Sequence, residues 1–484
     1  MLDKIHAVCM SVPKLLMMTM LVMVTAPAYA VLEIPALDVF GAQKQIDTQT
    51  AIKLKPSECP PIPQNGATLQ VMEVVHIALC NNPSTRTTWF QLRAQATSLN
   101  QTKVTELLPD VSASSSLSHS SSRSDGSTDT STSTSTSASL SYTLFDFGVR
   151  EATIEAAEQS LQSAMSSYDS ALQGLIASTL NNYYNLLSAG YSLEAANDAL
   201  TFAKQSLDAA KARFKLGVVA KSDVLQAQSS YSQSVLSYEQ ALNAQQQAHN
   251  TLMTGMGADP ATHVEIADID DSMLIKDDFD MRVQDLISIA NQERKDLQSQ
   301  QQSLASSIAS LEATKRGNLP SVSMSASQTI SNIGINDRAT QASGSLGFSV
   351  SIPIFTGFSR PYSIKSSELG IKSQKLGIEQ TKLSIAQDVW SAYNNYKTAE
   401  QSWMTSFDAL ASSSEFRNIA LGRYKAGVGS LLDVQSAQSS YSSAQSSYIS
   451  ARFALLTSRV DLIRSVGILN LDNAMPATPV MELQ

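Results

Sequence analysis

The chain has 484 residues, of which 16% are charged and 6% aromatic, and its formal net charge is -9. This length allows several domains or one very elongated domain, and the acidic balance argues against nucleic acid as a partner. Serine, alanine and glutamine stand where charged residues would be expected, a composition that suits long helices packed closely through small side chains.

The first 30 residues have the pattern of a secretory signal peptide. Lys4 and Lys14 give a basic start, Leu15–Val24 is apolar apart from one threonine, and Ala28-Tyr29-Ala30 is a small-residue cleavage site. The alternative is a single membrane anchor, but a span needs about 20 apolar residues, more than this run contains. We expect a mature chain that begins at Val31, without a lipid anchor because no cysteine follows the cleavage site.

Two cysteines remain after cleavage, Cys59 and Cys80, and both would lie in an oxidising compartment. A disulfide between them would tie an N-terminal extension, residues 31–68, to the first helix. The alternative is a pair of buried free thiols. Neither cysteine is accompanied by a histidine or an acid in a pattern known from catalytic thiols.

The mature chain contains one unit twice. The segment from Arg213, RFKLGVVAKSDVLQAQSSY, matches the segment from Arg423, RYKAGVGSLLDVQSAQSSY, at an offset of 423 − 213 = 210. Upstream, LPDVSAS at Leu108 matches LPSVSMS at Leu319. Units of this length are not a short-period solenoid. We divide the mature chain into an extension, a first repeat, an acidic linker, a second repeat and a tail: residues 31–68, 69–260, 261–284, 285–470 and 471–484.

Long helices with a heptad repeat are predicted in both repeats. Apolar residues recur every seven positions in four series: Ile154, Leu161, Tyr168 and Leu175; Leu193, Leu200, Leu207 and Phe214; Ile364, Ile371, Ile378 and Ile385, with Leu369, Leu376 and Leu383 beside them; and Tyr441, Tyr448, Leu455 and Leu462. Sustained heptads indicate coiled-coil packing. A continuous helix from Val149 to Phe214 would be about 100 Å long, at ~1.5 Å per residue.

Between these helices the hydrophobic period falls to two, which predicts strands. In the second repeat Leu346, Phe348 and Val350 alternate with serine and glycine, and a turn at Gly334 and Asn336-Asp337 gives a hairpin at about 320–355. The counterpart in the first repeat, about 109–146, is rich in serine and threonine around Ser124-Asp125-Gly126. A disordered linker is the alternative for this tract, but the clear hairpin in the second repeat favours strands.

Two hairpins supply four strands per chain, too few to close a barrel in a membrane. A lipid-exposed sheet edge is not tolerated, so strands of this kind have to be completed by other chains. Three chains would give twelve strands, an even number within the range of outer-membrane barrels. If these strands enter a membrane, the chain must therefore oligomerise, and a homotrimer in contact with outer-membrane lipid is the assembly we expect.

The whole layout resembles the outer-membrane efflux (TolC) family, from about Leu69 to Gly467. Ala78-Leu79-Cys80-Asn81-Asn82-Pro83 is similar to the family's opening AL..NP motif. Phe145-Asp146-Phe147-Gly148 and Phe355-Thr356-Gly357 resemble its strand-to-helix junction, and the two RF..G....DVL.AQ segments are the most specific match. The resemblance implies a mostly α chain with two β-hairpins, whose trimer forms a 12-stranded membrane barrel continued by a periplasmic α-helical barrel. It also implies a passive channel in the outer membrane of a Gram-negative bacterium.

The turns between the long helices form the periplasmic tip of the tunnel in this family. Gly217 and Gly427 end a helix where the left-handed conformation is easiest for glycine. Asp223 and Asp433 follow near the start of each returning helix, where a carboxylate can accept backbone N–H bonds. The resemblance implies that a periplasmic adaptor docks on these residues: Gly217, Val218, Val219, Ala220, Gly427, Val428, Gly429 and Ser430.

The resemblance also implies a gate at the tip. Tyr424 and Asp223 match a pair that holds the closed state, and Asp433 matches an acidic ring at the constriction; for Asp223 capping and gating stay equally open. The chain departs from the family pattern at Gly429, which replaces an arginine, and at Ser436, which replaces an aspartate. Fewer polar links would then hold the gate, and Tyr424→Phe is predicted to loosen it.

The sequence shows no motif for catalysis. The histidines of the mature chain lack metal-ligand spacing, and there is neither a P-loop nor a G-x-S-x-G motif: His76, His119, His249 and His263. We expect no enzyme, no metal and no cofactor. Energy for transport would come from an inner-membrane ABC or proton-driven transporter, reached through the adaptor.

The cargo class is left between two candidates. The Cys59 and Cys80 pair beside ALCNNP resembles the CyaE-like branch, which implies type I secretion of large unfolded proteins, the candidate we favour. Small-molecule or drug efflux uses the same fold. A coiled-coil surface adhesin or fibre is a remote alternative, since it needs neither hairpins nor duplication. A periplasmic adaptor would need lipoyl-like and barrel β-domains that are missing.

Overall fold

The computed structural model describes residues 38–49, 59–62, 66–124, 127–269, 282–333 and 339–471. The signal peptide, Asp125-Gly126, the turn at Gly334 and Asn336-Asp337, residues 270–281 of the acidic linker and the tail beyond 471 lie outside the described residues. The described chain comprises a small unit that ends at Gly41 and a large unit that starts at Ala42. In the small unit the Gly41 N–H donates to the Asp38 carbonyl at 3.1 Å and closes a turn.

The described part of the large unit is built mainly from helices. In chain order its elements are α1 (Ala42–Gln49), β1 (Thr68–Leu69), α2 (Val71–Asn81), α3 (Pro83–Leu107), β2 (Asp110–Ser124), β3 (Ser127–Phe145), α4 (Val149–Lys215), α5 (Lys221–Gly255), β4 (Glu265–Ile266), α6 (Val283–Glu293), α7 (Lys295–Arg316), β5 (Ser321–Ile333), β6 (Ala339–Ser351), α8 (Ser359–Lys425) and α9 (Leu431–Val466).

Both halves of the duplication fold in the same order of elements. Each has a short helix, a longer helix, a β-hairpin, a helix of 67 residues, a tight turn and a returning helix of 35 or 36 residues. The helix α4 runs unbroken, so at 1.5 Å per residue it is about 100 Å long. The serine-rich tract of the first half is paired as two strands, β2 and β3, over its described length.

The two hairpins form one antiparallel sheet in the order β2-β3-β5-β6. In one row across it Val111, Leu140, Ala326 and Leu346 are partners; the next row is Ser112, Ser139, Ser327 and Ser345. Because successive side chains point to opposite faces, the sheet has one apolar and one serine face at this level. The serine hydroxyls pair across the strands, at 2.8 Å for both 112–139 and 327–345. The strands β2 and β6 are the edges.

The strand-to-helix junctions explain the two phenylalanine–glycine motifs. Phe147 and Gly148 have positive φ, 54° and 84°, before α4 begins. The Asp146 carboxylate accepts the backbone N–H groups of Gly148 and Arg150, both at 3.2 Å, and the Arg150 Nε donates to it at 3.1 Å. The junction before α8 uses positive φ at Gly357 and Phe358. The chain thus passes from strand to helix through left-handed residues at corresponding places in both repeats.

The main hydrophobic core lies around the middle of the long helices. Tyr183 and Tyr184 are almost wholly buried there, and the Tyr183 hydroxyl donates to the Ala267 carbonyl at 2.5 Å. Burial raises the pKa of Tyr183 to about 12. Cys59 and Cys80 are joined by a disulfide, with their Cα atoms 5.6 Å apart. No helix among the described residues is both long enough and apolar enough to cross a membrane.

Helix α8 carries two different heptad series. Ile371, Ile378 and Ile385 are buried against the rest of the chain. A second series lies on the surface, with exposed fractions between 43% and 75%: Tyr362, Leu369, Leu376, Leu383 and Trp390. A solvent-exposed apolar heptad series is typical of a helix that has a partner outside its own chain.

Candidate functional site

Each tip turn is closed by a glycine with a positive φ. Gly217, at φ 74°, donates its N–H to the Phe214 carbonyl at 2.9 Å, and the next N–H donates to Arg213 at 3.1 Å. Gly427, at φ 84°, donates its N–H to the Tyr424 carbonyl at 3.0 Å, and the Val428 N–H donates to the Arg423 carbonyl at 3.1 Å. These bonds satisfy the last carbonyls of α4 and α8, and the left-handed conformation favours glycine at both positions.

The two returning helices begin differently. At the start of α9, Ser430 Oγ accepts the Asp433 N–H, and the Asp433 carboxylate accepts the Ser430 N–H, both at 3.1 Å. Hydrogen bonding to the carboxylate, first by the Ser430 backbone N–H and then by the Ser430 side chain, lowers the pKa of Asp433. Ala220 has no side-chain acceptor at the start of α5, and the Asp223 carboxylate instead accepts the Ser222 hydroxyl at 3.3 Å. Asp433 therefore caps its helix, whereas Asp223 does not.

The residues predicted to dock an adaptor lie at these two tips. All are exposed except Val219 and Gly429, which are half-buried. Val218 and Val428 have exposed fractions of 60% and 70%. Two flanking leucines that the sequence did not single out, Leu216 and Leu432, are exposed to 77% and 72%. Apolar residues on either side of a surface turn were the signal that could have found them.

Tyr424 lies inside a small core between the tips rather than on the surface. Its exposed fraction is 2%, and the buried side chains around it come from the other three long helices, α4, α5 and α9: Leu207, Ala210, Ala227, Leu431 and Val434. Its hydroxyl has no hydrogen-bond partner among the described residues. The structure therefore places Tyr424 and Asp223 at the same end of the helices without joining them by a hydrogen bond.

The partner of Tyr424 in the first hairpin is Arg213, which sequence reasoning missed, and not Asp223 as expected. Its guanidinium carbon lies 4.6 Å from the centre of the Tyr424 ring, and its Nη1 donates to the Tyr424 carbonyl at 3.2 Å. Two amides add a polar link nearby, because Gln226 donates to Gln435 at 3.4 Å and Gln435 donates to Ser230 at 3.0 Å. The first and second helical hairpins are thus connected at their tips.

Acidic and histidine side chains do not gather into a metal-binding group anywhere in the described ranges. His249 and His263 stack with ring centres 5.4 Å apart. His249 Nε2 accepts the Val264 N–H at 3.5 Å, which uses a nitrogen that a metal would need. His76 is exposed on α2 and His119 on β2.

Comparison with known proteins gives consistent matches. Residues 74–258 and 286–468 match the family described as outer membrane efflux protein. Protein CyaE of Bordetella pertussis is 27% identical over 389 residues, which cover 79% of this chain and 81% of that protein. The CmeC outer membrane channel of Campylobacter jejuni is 20% identical with a TM-score of 0.69, covering 82% of this chain and 85% of CmeC. The MtrE outer membrane channel of Neisseria gonorrhoeae is 21% identical, also at 0.69, covering 89% and 95%.

Proposed function

We propose that this chain, which belongs to the outer membrane efflux protein family, is the exit duct of a three-component machine for type I protein secretion. As a member of the family it is a passive outer-membrane channel of a Gram-negative bacterium, not an enzyme, with a large helical periplasmic portion and a β-barrel portion. The family forms homotrimers that work with adaptors and inner-membrane transporters. What we propose beyond this is the residues that assemble the trimer, the surface that docks the adaptor, and the cargo.

The main observation that supports assembly into a trimer is the open four-stranded sheet. Its edges, β2 and β6, leave backbone groups unpaired, which lipid does not tolerate. Pairing β6 of one protomer with β2 of the next in a ring of three would give twelve strands without an edge. The serine face would then line the pore, and the apolar face would meet lipid.

The helical portion supports the same arrangement. The exposed heptad series of α8 begins soon after the edge strand β6 ends, so strand edge and helix seam lie on one continuous piece of chain. Leu376 and Leu383 have exposed fractions of 71% and 74%, unusual for leucines at heptad spacing. We assign this series to contact with the neighbouring protomer.

The tips are proposed as the adaptor's docking surface. Four large apolar side chains surround the two glycine turns, and all are more than half exposed: Leu216, Val218, Val428 and Leu432. A cluster of exposed apolar residues at a loop tip is typical of a protein-binding surface. The adaptor would cover both turns of each protomer, and the transporter behind it would supply the energy.

Secretion of proteins is supported by the disulfide at the opening helix and by the similarity to CyaE over most of both chains, because the cysteine motif resembles the branch that serves type I secretion. The serine face also suits this cargo. It would offer hydroxyl groups and few charges to a polypeptide of any sequence, so neither acidic nor basic segments would be held strongly.

Small-molecule efflux is the second candidate, favoured by the description of the matching family itself. The two candidates differ in what a deletion strain loses. We would delete the gene, then complement it with the wild type, with Val428→Asp to impair docking, and with Lys215→Gln as an exposed tip control. Loss of one or a few large proteins from the culture medium, restored by the wild type and the control alone, is the expected result. An unchanged set of secreted proteins together with increased sensitivity to toxic compounds would favour efflux instead.

A further inference from the structure

We propose that Arg213 is the residue that locks the two helical hairpins of each protomer together at the tip, and that its contact with the Tyr424 ring breaks when the tip opens. The proposal rests on the channel function proposed above. Arg213 lies in the last turn of α4 and Tyr424 in the last turn of α8, so the contact joins the first hairpin, α4–α5, to the second, α8–α9. Those are the ends that must separate for the tip to widen.

The geometry gives the guanidinium two roles at once. Its guanidinium carbon lies over the aromatic ring, 4.6 Å from the ring centre, and its Nη1 donates to the backbone carbonyl of the same residue at 3.2 Å. Arginine can stack and donate together because its donors lie in the plane of the group, which lysine cannot reproduce. The contact is stronger than on an open surface because the ring is almost fully buried and poorly hydrated.

The same carbonyl belongs to the tip turn. The Tyr424 oxygen accepts the Gly427 N–H at 3.0 Å as well as the Arg213 Nη1. Arg213 therefore binds the same carbonyl oxygen that closes the second tip turn. Movement of α4 away from α8 would remove one of two donors from this carbonyl.

The contact between Arg213 and Tyr424 is not repeated by the residues at the equivalent positions of the two repeats. The repeat counterparts are Arg423 for Arg213 and Phe214 for Tyr424, at the offset of 210. Both counterparts are exposed, and Phe214 has an exposed fraction of 43%. If the arginine served only to stabilise the end of its helix, its surroundings would be the same in both repeats. The stack of Arg213 on a buried ring is therefore a feature of the contact between hairpins.

The ring, not the hydroxyl, makes this link. The Tyr424 hydroxyl is buried without a partner, and removing a buried unpaired hydroxyl does not weaken the folded state. A link to Asp223 through the hydroxyl would be lost in Tyr424→Phe, whereas a ring stack would be kept. The two mechanisms therefore predict opposite outcomes for this variant, and the structure favours a gate that stays closed.

Planar-bilayer recordings of the purified trimer test the lock. We expect Arg213→Gln and Arg213→Lys to raise the open probability about two- to thirty-fold, the range that corresponds to a cation–π contact. Tyr424→Phe should match the wild type, and so should Lys215→Gln, which removes one positive charge from the same helix end. Tyr424→Leu should raise the open probability, with little further increase when it is combined with Arg213→Gln, because both remove one contact. Trimer mass is measured for each variant.

Three results would overturn the proposal. If the open probability is unchanged in both Arg213 variants, Arg213 does not hold the hairpins together, although the channel function stands. If the open probability rises in Arg213→Gln but keeps its wild-type value in Arg213→Lys, only the positive charge of residue 213 matters. A raised value in Tyr424→Phe assigns the link to the hydroxyl. A wild-type trimer that never conducts, with every tip variant equally silent, would refute the proposed channel function itself.

Discussion

Gly467 touches the backbone of Arg294 at the point where α6 breaks into α7. A Cβ atom at 467 would lie 2.9 Å from both the backbone nitrogen and the Cα of Arg294, closer than carbon atoms approach. In the first repeat Gly257 stands in the same relation to Asn81, where a Cβ would lie 2.5 Å from the carbonyl oxygen beside the break between α2 and α3. Each returning helix thus ends against the kink of its own repeat.

Replacing these glycines by alanine should destabilise the protein more than replacing a tip glycine. Gly467→Ala and Gly257→Ala combine a positive φ with a backbone clash, so we expect losses of more than about 2 kcal/mol. Gly217→Ala is the matched control, because its φ is 74° but nothing lies within 4 Å of its Cβ position. Strain alone should cost it about 1–2 kcal/mol. Thermal unfolding of the trimers compares them; equal losses at 217 and 467 would show that the close contact is unimportant.

The exposed series of α8 should decide the oligomeric state. In Leu376→Glu and Leu383→Glu we expect the trimer to dissociate, since burying one leucine is worth about 1.5–3 kcal/mol and a trimer repeats the loss at three interfaces. Gln374→Glu adds the same charge at an exposed position on the opposite face of the helix and should stay trimeric. Native mass measurement in detergent gives the result directly. Intact trimers for both leucine variants would place the interface elsewhere.

Much of the fold could be predicted from residue patterns. Alternation of Leu346, Phe348 and Val350 with small polar residues predicts a strand, and the 210-residue offset carries that prediction to the weaker first hairpin. The heptads predict long helices, but the isoleucine and leucine series of α8 look equally apolar in sequence. Which series a helix packs into its own chain depends on where the other helices lie, so Ile378 and Leu376 could not be told apart.

The candidate site was predictable in part. Glycine after RF and RY segments locates both tip turns, because left-handed backbone favours glycine. The stack of Arg213 on Tyr424 joins residues 424 − 213 = 211 positions apart, and no local pattern reports such a contact. Asp433 differs from Asp223 for a reason that the sequence does contain, since Ser430 can complete a reciprocal cap and Ala220 cannot.

The Cys59–Cys80 disulfide should stabilise the opening helix. It closes a loop of 21 residues, for which chain entropy gives about 3 kcal/mol. We expect a reductant to lower the midpoint of thermal unfolding of the mature wild type and to leave Cys59→Ser/Cys80→Ser unaffected. The double variant should start at the lower, reduced value. If reductant shifts both proteins alike, the effect arises outside this bond.

The cap at the start of α9 should make one tip sensitive to acid. The bonds from Ser430 lower the pKa of Asp433 in the folded chain. A lowered pKa means that the stabilisation is fully present above the unfolded value, about 4, and is lost as the pH falls through the folded value below it. The first turn of α9 should therefore exchange its amide hydrogens faster, relative to the intrinsic rate, as the pH drops from 5 to about 3.

The first turn of α5 is the internal control, because Ala220 and Asp223 form no such cap there. Hydrogen exchange followed by mass spectrometry reads both turns in one sample. Asp433→Asn should remove the extra acid response of α9, and Ser430→Ala should speed exchange in its first turn about five-fold already at neutral pH, as for the loss of an N-cap. An acid response of the same size in both turns would mean that the whole tip loosens and that the Ser430–Asp433 pair does not set it.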